Sequence, residues 1–373
     1  MLLHIGALLA LVAPALALVA PPPRSVVVGA GPAGLATAIA LRKRGWPDVR
    51  VFDRLPPPPA LDDAATWSDT ARFYLIGIGG RGQRALRAIG AWEAVEPYTA
   101  VVRGRKDWAP GAGVDGGVET IRNDRPPSNV IQRDRLVSSL LEQALALGVT
   151  VEHEVDVSAI RWEGEEAILQ CSPCSDECAA DEEGGKEYEG AFEVRTPFVV
   201  ASDGVRRTVG AALEAEDASR RWVFPGRRFR VTKFEDTSVR VYKTVPFTPP
   251  ADWRCDINYS ARTSRFNFDA LPAPTGRAPA DDPSAGAHVD EYCGVLLIKP
   301  EDDESMTIPD VPAARRYFDE LLPQFSPYIT DEALASVIAK QPSRLPVFRF
   351  AGPRLHRGSS TVLLGDAIHS VKV

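Results

Sequence analysis

The residues Val26-Val27-Val28-Gly29-Ala30-Gly31-Pro32-Ala33-Gly34 decide the fold of this chain. An apolar strand runs into a turn with three glycines, and the apolar stretch 35–41 predicts a helix directly after it. Gly29 lets the chain turn sharply, Gly31 lets the backbone approach a pyrophosphate, and Gly34 lets the helix lie close to the sheet. The pattern predicts the first strand, turn and helix of a Rossmann unit, whose helix N-terminus receives the phosphates of a dinucleotide.

A second apolar strand with a terminal acid follows this turn. Val49-Arg50-Val51-Phe52-Asp53 places a carboxylate nineteen residues after Gly34, which suits a hydrogen bond between the acid and an adenosine ribose. The alternative, a glycine-rich turn without a ligand, leaves this spacing unexplained. We therefore expect the cofactor to be contacted by Gly29, Ala30, Gly31, Pro32, Ala33, Gly34, Asp53 and Arg54.

Composition narrows the class of protein. A chain of 373 residues with 45% hydrophobic residues is long enough for two lobes with their own cores. The net charge of −7, without a basic stripe, argues against a nucleic-acid partner. The 5 cysteines do not form a disulfide framework for a chain of this size, so the redox compartment stays open.

Three of the cysteines, Cys171, Cys174 and Cys178, lie in a polar, acidic stretch between Ile168 and Ala191. Their spacing could in principle hold a metal ion, but a zinc site needs a fourth ligand and no histidine is near in the sequence. We therefore predict a disordered hairpin loop here and no metal site.

The first 20 residues contain no Asp, Glu, Lys or Arg and consist mostly of Leu, Ala and Val. With Ala15-Leu16-Ala17 as a cleavage-like site, they predict a signal for the secretory pathway or for entry into an organelle. The alternative is a membrane anchor, because the segment lacks an initial Lys or Arg and about 20 apolar residues can span a bilayer. We expect Pro21-Pro22-Pro23 to form a spacer before the first strand.

Two later apolar strands also end in a glycine-plus-acid pair, Asp203-Gly204 and Gly365-Asp366. Between them, from Arg227 to Pro300, short alternating segments suggest an antiparallel sheet. We predict an α/β fold in which a Rossmann-type dinucleotide-binding domain carries an inserted antiparallel β-sheet substrate lobe. The expected divisions are a targeting segment at 1–20, the binding domain at 21–210, the lobe at 211–342 and a return to the binding domain at 343–373.

The three strand ends, in this order, resemble those of the FAD-dependent class A aromatic monooxygenases, and the resemblance covers nearly all of residues 25–372. It implies that the glycine turn binds the ADP half of FAD, that Asp203-Gly204 lies near the pyrophosphate and the NADPH path, and that Gly365-Asp366 holds the ribityl chain. Within this family the chain is most similar to the kynurenine 3-monooxygenases and their relatives. The segments that carry this similarity are 81–90, 103–105, 133–136 and 363–369.

The resemblance implies further site residues and an activity. Arg133 and the backbone of Val157 would hold FAD, Gly77 would line the FAD cavity, and Arg105 would bind a substrate carboxylate through two parallel hydrogen bonds. The implied activity is NAD(P)H-dependent hydroxylation of a small aromatic substrate by O2 through a flavin hydroperoxide, and a kynurenine-like compound is one candidate substrate. Because the flavin supplies the chemistry, no side chain is assigned as acid, base or nucleophile.

The chain departs from the family pattern in places that leave alternatives open. Where the family has serine and arginine after its Asp-Gly motif, this chain has Arg207 and Gly210, and a tyrosine expected near Ile121 is missing. The helix that follows the family's Gly-Asp motif is also absent. The alternatives are a C-terminally truncated or degenerate FAD-binding protein with little turnover, or a relative of the flavin epoxidases and halogenases. A classical NAD-dependent dehydrogenase leaves the second and third motifs unexplained.

Overall fold

The computed structural model describes residues 24–70, 72–174, 190–219, 228–235, 239–345 and 348–370. The targeting segment predicted at 1–20 lies outside these residues. Cys178, the third of the clustered cysteines, also lies outside them. Within the described ranges, no helix is both long enough and apolar enough to cross a bilayer.

The helices and strands have the following bounds. The strands are Ser25–Val28 (β1), Val49–Phe52 (β2), Leu75–Ile78 (β3), Ala100–Val102 (β4), Gly104–Trp108 (β5), Val118–Ile121 (β6), Ser128–Gln132 (β7), Thr150–Glu152 (β8), Val155–Glu163 (β9), Glu166–Pro173 (β10), Phe192–Thr196 (β11), Phe198–Ala201 (β12), Phe229–Lys233 (β13), Val241–Phe247 (β14), Ile257–Arg262 (β15), Asn267–Ala273 (β16), Glu291–Ile298 (β17), Ser343–Arg344 (β18), Arg349–Pro353 (β19), His356–Arg357 (β20), Thr361–Leu363 (β21) and His369–Ser370 (β22). The helices are Pro32–Lys43 (α1), Ala64–Ser68 (α2), Gly80–Ala88 (α3), Trp92–Val95 (α4), Arg133–Ala146 (α5), Thr208–Ser219 (α6), Asp303–Met306 (α7), Val311–Leu321 (α8) and Asp331–Ala339 (α9).

A six-stranded sheet in the order β20-β21-β12-β1-β2-β8 forms the centre of the binding domain. The pairs β21–β12, β12–β1, β1–β2 and β2–β8 are parallel. All four residues of β1 are buried because both faces of the sheet are covered, which explains its uninterrupted run of valines. Helices α1 and α5 pack on one face, and the β9-β10-β11 sheet with α6 packs on the other. The predicted Rossmann-type α/β fold is confirmed.

The second large sheet has seven strands in the order β18-β14-β17-β16-β15-β5-β6. Its neighbours are antiparallel except β15 and β5, which run parallel. An aromatic core that includes Phe247, Tyr259, Phe268, Tyr292 and Phe325 lies against it. The predicted antiparallel sheet is therefore present.

This sheet draws on more of the chain than the predicted lobe at 211–342. Strands β5 and β6 lie before residue 210, and β18 lies at residues 343–344. The seven-stranded sheet thus extends beyond the predicted lobe at both ends. The parallel pairing of β5 with β15 attaches two early strands to it, and the pairing of β14 with β18 adds residues 343–344. The boundaries of the domains themselves stay a prediction.

Residues 100–108 belong to two sheets, since β4 pairs with β7 whereas β5 pairs with β15. The chain changes sheets at Arg103, whose N–H donates to the carbonyl of Asp256 at 2.8 Å. The loop expected from Ile168 begins later, because residues up to Pro173 continue β10 and bury Cys171.

A glycine in the seven-stranded sheet provides a test of this packing. A methyl group at Gly294 would overlap the ring of Phe268, which is 0% exposed. Gly294→Ala should therefore lower the free energy of unfolding by about 1–3 kcal/mol, as expected for overpacking, in urea titrations followed by circular dichroism. Gly276→Ala is the control, because no atom of the described residues lies within 4 Å of the added methyl group. Equal stability of the two variants would contradict this packing.

Candidate functional site

A cavity of about 240 Å³ opens where β1, β2 and β12 end. Its lining joins residues from all three predicted motifs, including Gly31, Asp203 and Asp366. The carboxyl ends of parallel strands are where open α/β sheets bind their ligands. The predicted site residues that line this cavity are Gly29, Gly31, Asp53, Arg54, Arg133, Val157, Asp203, Gly204 and Asp366.

The glycines of the turn have different roles. Gly29 has a φ of +99°, and a side chain there would overlap the carbonyl oxygen of Ser202. A side chain at Gly34 would overlap the carbonyl oxygen of Gly29, so these two glycines are required by packing within the protein. By contrast, the nearest atom to a Cβ at Gly31 is a guanidinium nitrogen of Arg133 at 3.8 Å. Gly31 therefore leaves room toward the cavity rather than toward the protein.

Asp53 is held in place by the backbone around it. Its Oδ2 accepts a hydrogen bond from the N–H of Ala30 at 2.6 Å, and its Oδ1 accepts one from the N–H of Leu55 at 2.8 Å. A carboxylate oxygen has a second lone pair, so Asp53 can still accept hydrogen bonds from ligand hydroxyls. Arg133 begins α5 beside the same cavity and donates to Asp134 at 2.8 Å. A guanidinium near Gly31 suits a pyrophosphate.

Asp203 supplies an unsatisfied polar atom at the cavity. Its Oδ2 accepts a hydrogen bond from the N–H of Val209 at 3.1 Å, whereas its buried Oδ1 has no partner among the described residues. Burial raises the pKa of Asp203 above its ordinary value, and the hydrogen bond from Val209 opposes this shift. A buried acceptor without a partner is costly, so a ligand donor at this position would relieve the cost.

The two arginines after Asp203 differ in their surroundings. Arg206 donates to both carboxylate oxygens of the buried Asp156, at 2.6 and 2.9 Å. Arg207 has a φ of +60° and is buried, and its terminal nitrogens have no hydrogen-bond partner in the described part of the chain.

Sequence reasoning missed Asp156, although it directly precedes Val157, because no motif identifies a buried countercharge.

A larger cavity, of about 960 Å³, lies on the other side of the α1 N-terminus. It is lined by the predicted site residues Pro32, Ala33, Gly77 and Arg105. Arg105 extends from β5 and donates from Nε to Asp107 at 2.8 Å. Asn258 lines the same cavity, and its buried Oδ1 has no partner among the described residues.

The remaining predicted residues lie close to these cavities. Ala30 lines a third cavity of about 350 Å³, next to the proline-rich stretch 56–59. Gly365 has a φ of +64°, and a Cβ there would lie 3.1 Å from the Cβ of Ala33. Gly34 lies inside α1 against β12. The structure thus places every predicted site residue around the α1 N-terminus or in the cavities next to it, although their roles in binding stay predictions.

No cluster of His, Cys, Asp and Glu that could hold a metal ion occurs among the described residues. Of the three cysteines singled out in the sequence, Cys171 and Cys174 are buried. Burial raises the pKa of Cys171 to about 12, so this thiol stays protonated at neutral pH.

Comparisons with known proteins agree with this geometry. A family model described as an FAD binding domain matches residues 24–245. The chain is 25% identical over 363 residues to a kynurenine 3-monooxygenase of Salinispora arenicola, covering 93% of this chain and 67% of that protein. It is 35% identical over 127 residues to a kynurenine 3-monooxygenase of Salinispora tropica, covering 34% of this chain and 25% of that protein. The chain therefore spans two thirds or less of the length of these relatives.

A solved structure supports the fold. The tetrameric form of 2-methyl-3-hydroxypyridine-5-carboxylic acid oxygenase superposes with a TM-score of 0.62 at 18% identity. The match covers 94% of this chain and 76% of that one. Similarity at this level of identity supports the fold alone.

The open space at Gly31 gives a test of cofactor binding. Gly31→Val should yield a folded protein that is purified without bound FAD, because the new side chain fills the approach to the cavity without meeting the protein. Flavin content is measured by absorbance after denaturation. Gly113→Val is the control, since a Cβ there has no neighbour within 4 Å in the described part of the chain. Full flavin content in the Gly31 variant would argue against this binding mode.

Asp366, which lines the same cavity, gives a second test. Its side chain is exposed, so Asp366→Ala should leave the fold intact. If the carboxylate holds the ribityl chain, the substitution should raise the Kd for FAD about tenfold, the loss expected for a hydrogen bond to a charged group. Titration of the apoprotein with FAD measures this Kd. Asp281→Ala, at another exposed acid, serves as the control, and an unchanged Kd at Asp366 would rule out the role.

Proposed function

The chain belongs to the FAD-binding-domain family, and on this premise we propose that it is an FAD-dependent, NAD(P)H-consuming monooxygenase that hydroxylates a small aromatic substrate. One observation carries the proposal. Gly31, Asp203 and Asp366 lie far apart in the sequence, yet they line one cavity next to a second cavity large enough for an aromatic compound. A plain dinucleotide-binding domain does not require the later two motifs.

The residues of the smaller cavity fit FAD. Gly31 leaves space for a pyrophosphate, Arg133 adds a positive charge beside that space, and Asp203 has an unused buried acceptor. Asp53 is fixed by two backbone hydrogen bonds, so its carboxylate is oriented before any ligand arrives. Bound FAD would supply the redox chemistry, accepting a hydride from NAD(P)H and activating O2.

The protein's contribution in the larger cavity is binding and orientation. Arg105 lines this cavity and can pair with an anionic group of the substrate, in exchange for part of its contact with Asp107. The unpartnered Oδ1 of Asn258, on the neighbouring strand, can accept a hydrogen bond from a ring hydroxyl. Kynurenine is the first compound to test, because the relatives' names include it.

One observation favours a second candidate, an FAD-binding protein with little turnover. The arginines that follow Asp203 are engaged or buried, since Arg206 pairs with Asp156 and Arg207 is enclosed. An incoming nicotinamide cofactor would therefore meet a paired guanidinium at Arg206 and a buried one at Arg207. Both candidates hold FAD, so yellow colour does not separate them.

Turnover separates the two candidates. The full chain, loaded with FAD, is mixed with NADPH or NADH, O2 and a panel of aromatic compounds that includes kynurenine. A monooxygenase should oxidise the nicotinamide faster when substrate is present and release a product with one added oxygen atom, detected by mass spectrometry. Absence of oxygenated product across the panel, with FAD bound, would favour the second candidate.

Arg105 provides a residue-level prediction. Arg105→Ala should raise KM for an anionic substrate about tenfold or more while the flavin content stays at the wild-type level, because the guanidinium contacts the substrate and not FAD. Lys106→Ala is the matched control, since Lys106 is the next residue of β5 and does not line the cavity. Equal loss of flavin and substrate affinity in the Arg105 variant would point to misfolding instead.

A further inference from the structure

The larger cavity has a charge opposite to that of the whole chain. The protein has 43 Lys and Arg against 50 Asp and Glu. The described residues that line the cavity nevertheless contain no Asp or Glu, whereas they include Arg81, Arg84, Arg103, Arg105, Arg122 and Arg125. These are more guanidinium groups than one substrate carboxylate requires.

Three parts of the fold bring these side chains together. Arg81 and Arg84 are three residues apart on α3, so they occupy the same face of that helix. Arg103 and Arg105 are separated by one residue in an extended segment, so they point to the same side. The N–H of Arg122 donates to the carbonyl of Arg103 at 3.0 Å, which places the β6–β7 connection beside them.

Few of these arginines have a countercharge. Arg105 pairs with Asp107, and Arg103 lies 3.8 Å from Asp256, which is shared with Arg254. Both carboxylates lie outside the cavity lining. For the other four arginines, no carboxylate lies within ion-pair distance in the described part of the chain. Their mutual repulsion is lowered when an anion enters the cavity.

We infer, as an extension of the proposed function, that the aromatic substrate carries two or more anionic groups and no ammonium group. One guanidinium group can donate two parallel hydrogen bonds to the oxygens of a carboxylate, sulfonate or phosphate group. Arginines on separate elements can therefore hold two anionic groups of one ligand at once. An ammonium group would find no carboxylate partner among the described residues of the lining. An amino acid such as kynurenine would therefore place a positive charge among arginines, whereas an aromatic dianion neutralises them.

Binding measurements test this inference without turnover. Isothermal calorimetry on the FAD-loaded protein compares benzene-1,3-dicarboxylate, benzoate and kynurenine. The dicarboxylate should bind at least about tenfold more tightly than benzoate, and kynurenine more weakly than benzoate. Added salt should weaken the dicarboxylate most, because it screens the larger number of charge pairs. Equal affinity for the dicarboxylate and benzoate would overturn the inference, as would tighter binding of kynurenine than of benzoate.

Variants on α3 assign the effect to the cavity. Arg81→Gln combined with Arg84→Gln should reduce the affinity for the dicarboxylate to about that for benzoate, while flavin content stays unchanged. Arg87→Gln is the matched control, because Arg87 belongs to the same helix but lies over the ring of Trp92 and not in the cavity lining. A double variant that keeps the full preference for the dicarboxylate would contradict the assignment.

Two further outcomes have distinct meanings. The 2′-phosphate of NADPH is another dianion, so adenosine 2′,5′-bisphosphate is tested as a competitor. Its displacement of the dicarboxylate would overturn the inference and assign the arginines to the nicotinamide cofactor. Tight dicarboxylate binding without any oxygenated product would leave the inference intact while the proposed monooxygenase activity fails, and rapid kynurenine hydroxylation with weak dicarboxylate binding would mean the reverse.

Discussion

The site depends on the close contact between the start of α1 and the ends of β1 and β12. Gly34 lies against the backbone of Gly29 and the side chain of Ser202, with no room for a Cβ atom. The hydroxyl of Ser202 donates to the carbonyls of Val28 and Gly29, at 2.8 and 3.2 Å, and so joins the end of β12 to the end of β1. This contact fixes the N-terminus of α1 between the cavity of about 240 Å³ and the cavity of about 960 Å³. The positive end of a helix at this place favours phosphate groups.

Charge is distributed differently on the two sides of that helix. The smaller cavity has acids at Asp53, Asp203 and Asp366, which suit ribose and ribityl hydroxyls. Among the described residues that line the larger cavity, the charged ones are all arginines. Arg206 is neutralised by Asp156, so it adds little net charge to the smaller cavity. The protein thus separates a region suited to a polyhydroxylated, phosphate-bearing ligand from one suited to an acidic ring compound.

Sequence reasoning identified the parts of the fold that depend on local patterns. The buried run of β1, the glycine turn and the acid of Asp53 each follow from a backbone requirement that few residue types meet. The change of sheet at Arg103 was not predictable, because it depends on pairing with a distant strand. The sequence shows the arginines of α3, but it does not show that they line one cavity with arginines from other segments, because tertiary packing brings these segments together.

The parallel pairing of β5 with β15 also affects how the chain reaches its native state. Residues 104–108 find their partners at 257–261, so most of the intervening polypeptide must be synthesised before this ladder can form. Closing so long a loop costs entropy before any contact is gained, and non-local pairing of this kind slows folding. A nascent chain halted between these strands would leave β5 and β6 as a hairpin with an unpaired edge, which is the kind of surface that molecular chaperones cover.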